Sequence, residues 1–142
     1  MDIPVNYLAV LVAAVANMGI GFLWYGPLFG KMWTELMGWG AMTPEKMADR
    51  QKKARPAYAI SFVSALVMAY VLLHVIFFAN AYAPSGLQSG LSGGFWMWLG
   101  FVAPVTVGSV LWDGKPWKLW VINAGYYLVA LLIMGAILGY WQ

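Results

Sequence analysis

Ionisable or strongly polar side chains inside apolar stretches are where chemistry is sought first, because hydrocarbon penalises them. His74 is the clearest case. Its neighbours one helical turn away are Tyr70, Val71, Phe77 and Phe78, and apart from tyrosines no other titratable group lies between Arg55 and Asp113. An imidazole there could pass a proton or act as an axial haem ligand. Equally, it could sit neutral, hydrogen-bonded across a helix interface. Asn17 and Asn123 are the other strong polar groups in apolar surroundings, with Asn80 close to a segment end. Amides of this kind serve as interhelical glue worth roughly 0.6–2 kcal/mol, or as solute ligands. His74, Asn17 and Asn123 form the candidate polar site.

Little else supports catalysis. Asp113 has Lys115 and Lys118 beside it, which suggests a loop cap or an ion pair, and no second carboxylate is spaced for acid–base work with it. There is no Ser/His/Asp arrangement, phosphate loop or metal-ligand cluster. The chain has no cysteine, which excludes disulfides, thiolate chemistry and cysteine-held metals. The expectation is a protein that is not an enzyme and uses no metal or cofactor.

The elements that must carry these residues follow from composition. Hydrophobic residues make up 63% of the 142 and charged residues 9%, with a mean hydropathy of +0.73. Eight basic and five acidic side chains cannot cover a water-soluble globule, so the chain is read as an all-α integral membrane protein with one domain, 1–142. The net charge of +3 does not indicate nucleic acid, because the basic residues cluster beside apolar segments. Ala14-Val15-Ala16 looks like a signal cleavage site, but Met1–Leu8 has Asp2 and no basic residue, and the apolar run continues to Phe29. Residues 1–142 are therefore expected to be the mature chain.

Charge-free gaps of 28 residues (Asp2 to Lys31), 57 (Arg55 to Asp113) and 24 (after Lys118) hold one, two and one spans. The middle gap is expected to break at the Pro-, Gly- and Ser-rich stretch 81–94. This predicts transmembrane helices at about 4–27, 57–80, 94–112 and 118–140. All eight Lys and Arg residues then fall in the first and third loops, 30–56 and 113–118, which should face the cytoplasm, with both termini outside. That orientation suits an inner (cytoplasmic) membrane. Thr43-Pro44-Glu45 reads as an N-cap, first helical position and first-turn acid, so a short helix 44–54 is expected in the first loop. Trp24, Trp33, Trp39, Trp112, Trp117 and Trp120 are expected near the cytoplasmic ends of spans, and Trp96, Trp98 and Trp141 near the outer ends, as interfacial anchors.

Small residues at four-residue spacing mark faces for close helix approach: Ala9/Ala13/Asn17/Gly21, Ala57/Ser61/Ala65/Ala69, Gly100/Pro104/Gly108 and Gly135/Gly139. The last pair is the face most suited to self-association. Pro104 predicts a kink relieved by Thr106 and Ser109. Trp24-x-Gly26 and Trp112-x-Gly114, each followed by lysine and tryptophan, suggest two helical hairpins in parallel repeat.

The segments Trp24–Trp33 (W-Y-G-P-L-F-G-K-M-W), G-K-P-W-K-L-W-V-I-N-A-G-Y and M-G-A-I-L-G-Y-W together resemble a widespread bacterial family of small four-span membrane proteins catalogued as a domain of unknown function. The resemblance covers nearly the whole chain. It rests on Trp24, Tyr25, Leu28, Phe29, Gly30 and Trp33, then on Asn123, Ala124, Gly125 and Tyr126. It implies four spans and carries no activity. Trp24, Tyr25, Gly26, Trp33, Asp113, Gly125 and Tyr126 are taken as the structural motif, whose two halves should pack together at one depth. Functionally, the sequence is compatible with a homo-oligomeric carrier or channel for a small solute. The runner-up is an accessory subunit of a larger membrane complex. The expected partners are the lipid bilayer, further copies of the chain and other membrane subunits.

Overall fold

Four helices long and apolar enough to cross a membrane organise the chain in the computed structural model, which describes residues 3–82 and 84–141. The first span is α1 (Tyr7–Leu23), capped by the Asn6 side chain accepting from the Ala9 N–H at 3.1 Å, and extended by a π-helical turn over Trp24–Leu28. That turn contains Pro27 and bends at Gly26, whose φ/ψ of −106°/−107° is not helical. A short helix α2 (Gly30–Leu36) and a 3₁₀ turn (Trp39–Ala41) follow.

The second span is part of α3 (Pro44–Ala79), 36 continuous residues. Thr43 caps it as the sequence suggests, its hydroxyl accepting from the Lys46 N–H at 3.5 Å. The short helix expected at 44–54 and the span expected at 57–80 are thus one helix. Pro56 removes a single donor, and the φ imposed by its ring is already helical, so it does not stop the helix.

The third span differs more. It runs from Leu87 to Leu111 as α4 (Leu87–Met97), a π-helical turn at Trp98–Val102, α5 (Ala103–Thr106) and α6 (Gly108–Leu111). The stretch expected to be loop up to residue 94 is largely helical, and its glycines are the reason. Gly90 and Gly94 lie against the backbone of α7 (Trp117–Tyr140) at Gly135 and Leu131, and Gly139 lies against Gly86 and Gly90. A Cβ at Gly90, Gly94, Gly135 or Gly139 would strike a carbonyl of the facing helix. Glycines that punctuate a loop in water become the contact surface between helices in a bilayer. Conversely, Gly100 has nothing within 4 Å of where its Cβ would be, so the face expected at Gly100/Pro104/Gly108 is not the packed one. Around Pro104 the α-helix is interrupted, by the π-helical turn at Trp98–Val102 before it and at Val107 after it. The Thr106 hydroxyl donates to the Val102 carbonyl at 2.7 Å and the Ser109 hydroxyl to the Thr106 carbonyl at 2.8 Å.

The earlier helix start also moves Trp98 from the predicted outer end to mid-span. Its indole N–H donates to the Ala124 carbonyl of α7 at 2.8 Å. Trp24 does the same to Ile122 at 2.9 Å. Both stand at the head of a π-helical turn in a Trp-x-Gly sequence. By surroundings, Trp24 therefore corresponds to Trp98 and not to Trp112, which is 86% exposed in a loop where Gly114 has φ +67°.

Helices α3 and α7 touch along one diagonal, with α1 and α4 packed on either side. The buried core comprises Ala9 and Ala13 of α1, Ala69, Leu72, Leu73 and Ile76 of α3, and Leu131, Met134 and Leu138 of α7. These residues occupy the half of the bundle remote from the basic loops. At the basic end α3 is largely exposed from Arg50 to Ser64.

Candidate functional site

The π-helical turn at Trp24–Leu28 swings two aromatic rings from the end of α1 onto the start of α7. A wider turn of this kind rotates the side chains beyond it relative to an α-helix. The Phe29 N–H reaches back to the Trp24 carbonyl at 2.9 Å, and Gly30 passes so near the Tyr25 carbonyl that a Cβ would lie 2.5 Å from it. Trp24 lies across Gly125, where a Cβ would come within 3.2 Å of the indole. One residue on, the Tyr25 hydroxyl donates to Oδ1 of Asn123 at 2.9 Å.

A second phenol–amide pair lies deeper. The Tyr126 hydroxyl donates to Oδ1 of Asn17 at 3.0 Å, and Asn17 is 5% exposed. Tyr25 and Tyr126 are linked through their rings, 5.2 Å apart. Contacts between rings continue outward through Trp33, 5.0 Å from Tyr25, and Trp39, 4.6 Å from Trp33. The Arg50 guanidinium closes the row, 3.6 Å above the Trp39 ring. The two halves of the sequence motif therefore do meet, and Tyr25 is their hinge.

Two cavities flank this cluster. A cleft of about 610 Å³ lies between the α5–α6 segment and α7, lined by Thr106, Ser109, Asp113, Trp120 and Asn123. A groove of about 1410 Å³ lies among α1, α2, α3 and α7, running from Lys46 and Arg50 at its mouth to Asn17 and Met68 at its deep end. Tyr25 and Tyr127 line both, so the two cavities share a wall.

His74 does not join Asn17 and Asn123. It lies on the part of α3 remote from the basic loops, half-buried, with Nδ1 2.7 Å from the Tyr70 carbonyl of its own helix and its ring 4.4 Å from that of Tyr70. It lines neither cavity. Its neighbours Leu72, Leu73 and Ile76 take the buried face of α3, which turns the imidazole aside. The bond expected across a helix interface is an intrahelical one. Asp113 likewise differs from expectation. It is exposed and has no ion pair among the described residues, where Lys53–Asp49 at 2.8 Å is the one pair. The turn after α6 closes instead through the Lys115 N–H donating to the Ser109 carbonyl at 3.0 Å.

Gly135 and Gly139 are helix-packing residues, but their face is taken up by α4 within the chain. It is not free for a second copy. Among the described residues no three His, Asp or Glu side chains gather as metal ligands would.

Two contributors escaped the sequence reading. Tyr127 carried no signal apart from adjacency to Tyr126. The Thr106–Trp120 hydrogen bond, in which the indole donates at 3.1 Å, required knowing that α5 and α7 pack together. The spacing Gly86/Gly90/Gly94 was a signal, hidden by the Pro and Ser residues around it.

Residues 8–139 match the model of a family described as a protein of unknown function, DUF1761. No curated protein and no solved structure matches the chain.

Proposed function

We propose that this chain, which belongs to the DUF1761 family of proteins of unknown function, is a membrane carrier or channel for a small solute with its basic end in the cytoplasm. One observation carries this reading: the bundle is closed at one end and open at the other. The far end is sealed by backbone contact between α4 and α7 and by the core around Leu72, Ile76, Met134 and Leu138. The basic end opens into two cavities, and the amide and phenol groups of Asn17, Tyr126, Tyr25 and Asn123 lie on their walls. An aqueous opening that ends at hydrogen-bonding groups halfway along a span is what an inward-facing carrier offers a polar, uncharged solute. Positive loops at that end support the cytoplasmic assignment, in a bacterial inner membrane.

The test begins with purified protein screened for thermal stabilisation by a panel of small amides, polyols and amino acids. Stabilising compounds are then measured as isotope flux into proteoliposomes. At least one compound should bind and cross, and Asn17→Ala with Tyr126→Phe should abolish both effects. A panel that neither stabilises nor crosses sinks the carrier reading.

The accessory-subunit reading keeps one supporting observation. In the span Leu87–Leu111 only 6% of the apolar window is buried within the chain, leaving a face for another subunit. Mild-detergent extraction from the native membrane separates the two. A particle containing only this chain, as monomer or homo-oligomer, favours the carrier. Stoichiometric recovery of other membrane proteins favours the accessory role.

A further inference from the structure

The large groove contains more space than a small solute requires. Its volume of about 1410 Å³ exceeds the roughly 300–1,000 Å³ usual for small-molecule pockets. Its chemistry is also graded along one face of α3. Lys46, Arg50 and Lys53 stand at the mouth together with Glu45 and Asp49, Ala54 and Ala57 follow, and Ser61, Ala65 and Met68 lie deeper. The small residues leave room, and most of this stretch of α3 is uncovered by protein. From Arg50 to Met68 the helix rises about 27 Å at 1.5 Å per residue. One leaflet counted with its headgroups spans roughly 20–22 Å, half of the full bilayer. This stretch of helix is thus long enough to reach from headgroup depth to the midplane, and the groove's deep end lies beside Asn17, the middle of the first span. The polar groups of Asn17 and Tyr126 line its α1–α7 side, whereas the α3 side, along Ala54, Ala57, Ala65 and Met68, offers an acyl chain an apolar track.

The mouth selects the headgroup. Lys53 is neutralised by Asp49 at 2.8 Å, but Lys46 and Arg50 have no carboxylate partner among the described residues. The Arg50 guanidinium carbon lies 3.6 Å from the centre of the Trp39 ring, a contact that holds the cation at the mouth, where its N–H groups can meet an anion. Each such cation near a surface attracts anionic lipid.

We infer that the groove between α3 and the α1–α2–α7 side is a binding site for one anionic phospholipid of the adjoining leaflet, its phosphate between Lys46 and Arg50 and its acyl chains along Ala57, Ser61 and Met68. This site goes beyond the carrier reading and does not depend on it. Binding is measured without flux, so either can fail alone.

The experiment is native mass spectrometry of the full chain, delipidated in mild detergent and titrated with dioleoylphosphatidylglycerol or dioleoylphosphatidylcholine. One phosphatidylglycerol per chain is expected, retained at least fivefold better than phosphatidylcholine. Lys46→Gln with Arg50→Gln, both on the exposed part of α3, should remove that preference while the helical circular dichroism of the variant stays that of the parent. Ser61→Phe, which fills the groove, should remove retention of both lipids. Equal retention of the two lipids, or an undiminished preference in the Lys46/Arg50 double variant, overturns the inference. So does a dimer mass that Ser61→Phe converts to monomer, because a second copy then occupies the groove.

Discussion

Tyr25 and Asn123 stand 98 positions apart in sequence and 2.9 Å apart at their polar ends. Their energetics are asymmetric. Removing the phenol hydroxyl in Tyr25→Phe leaves an amide beside an open cleft, where water can replace the donor. The loss should be about 0.5–1.5 kcal/mol, the net worth of one hydrogen bond. Asn123→Leu instead sets a bulky apolar side chain against the Tyr25 hydroxyl and screens it from the cleft, and should cost about 1–3 kcal/mol. Unfolding of the two variants in the same detergent checks the order. If Asn123→Leu is as stable as the parent, the pair is not a structural latch. This bond was only partly legible beforehand. The family-like motifs around Tyr25 and Asn123 suggested that the two segments meet, but hydropathy does not say which phenol finds which amide. Tyr126 bonds to Asn17, about two turns before Tyr25 on the first span, and not to Asn123 on its own helix.

At the scale of elements, the glycines decide how close α4 and α7 come. A methyl group at Gly90 would overlap the Gly135 carbonyl, whereas one at Gly100 would meet nothing within 4 Å. Gly90→Ala should therefore force the helices apart and cost about 1–3 kcal/mol or more, as overpacking does. Gly100→Ala should be neutral or slightly stabilising, since alanine is favoured over glycine within helices by up to about 1 kcal/mol. Thermal melting of both variants in one detergent checks this contrast, and equal melting temperatures would refute the packing model. The same contact explains the misplaced start of the third span. In the sequence, Pro84 and the following glycines and serines carry every sign of a loop. Those signs describe local backbone preference, and a facing helix made of Gly135 and Gly139 overrides it. By contrast, the start of α3 at Thr43-Pro44-Glu45 was readable, because capping is local chemistry. Its passage through Pro56 was not, because a proline signals a stop more strongly than it enforces one.

For the whole molecule, the contrast between a sealed end and an open end is the central property, and its meaning depends on which end faces the cytoplasm. The absence of native cysteine makes this directly measurable. Ser85→Cys, in the short connection between α3 and α4, and Lys52→Cys, on the exposed basic part of α3, can each be labelled with an impermeant maleimide in right-side-out membrane vesicles. Ser85→Cys should label in intact vesicles, and Lys52→Cys only after permeabilisation. The opposite pattern would turn the open end outward and reverse the direction of the carrier reading.

Hydropathy, the gaps between charges and the grouping of basic residues by themselves determine that this chain crosses a membrane with four helices, since each depends only on composition along the chain. The signature around Trp24 and Asn123 is likewise local enough to indicate the family. Tertiary structure alone decides that the Gly135/Gly139 face is used up inside the chain, that His74 turns back onto its own helix, and that Asn17 and Asn123 are joined through tyrosines. The physical reason is the same in each case. In a bilayer, helices associate through shape and a few hydrogen bonds, and not through the burial of apolar surface that leaves a periodic trace in sequence. Which small face meets which, and which phenol reaches which amide, exists only once all four helices are in place.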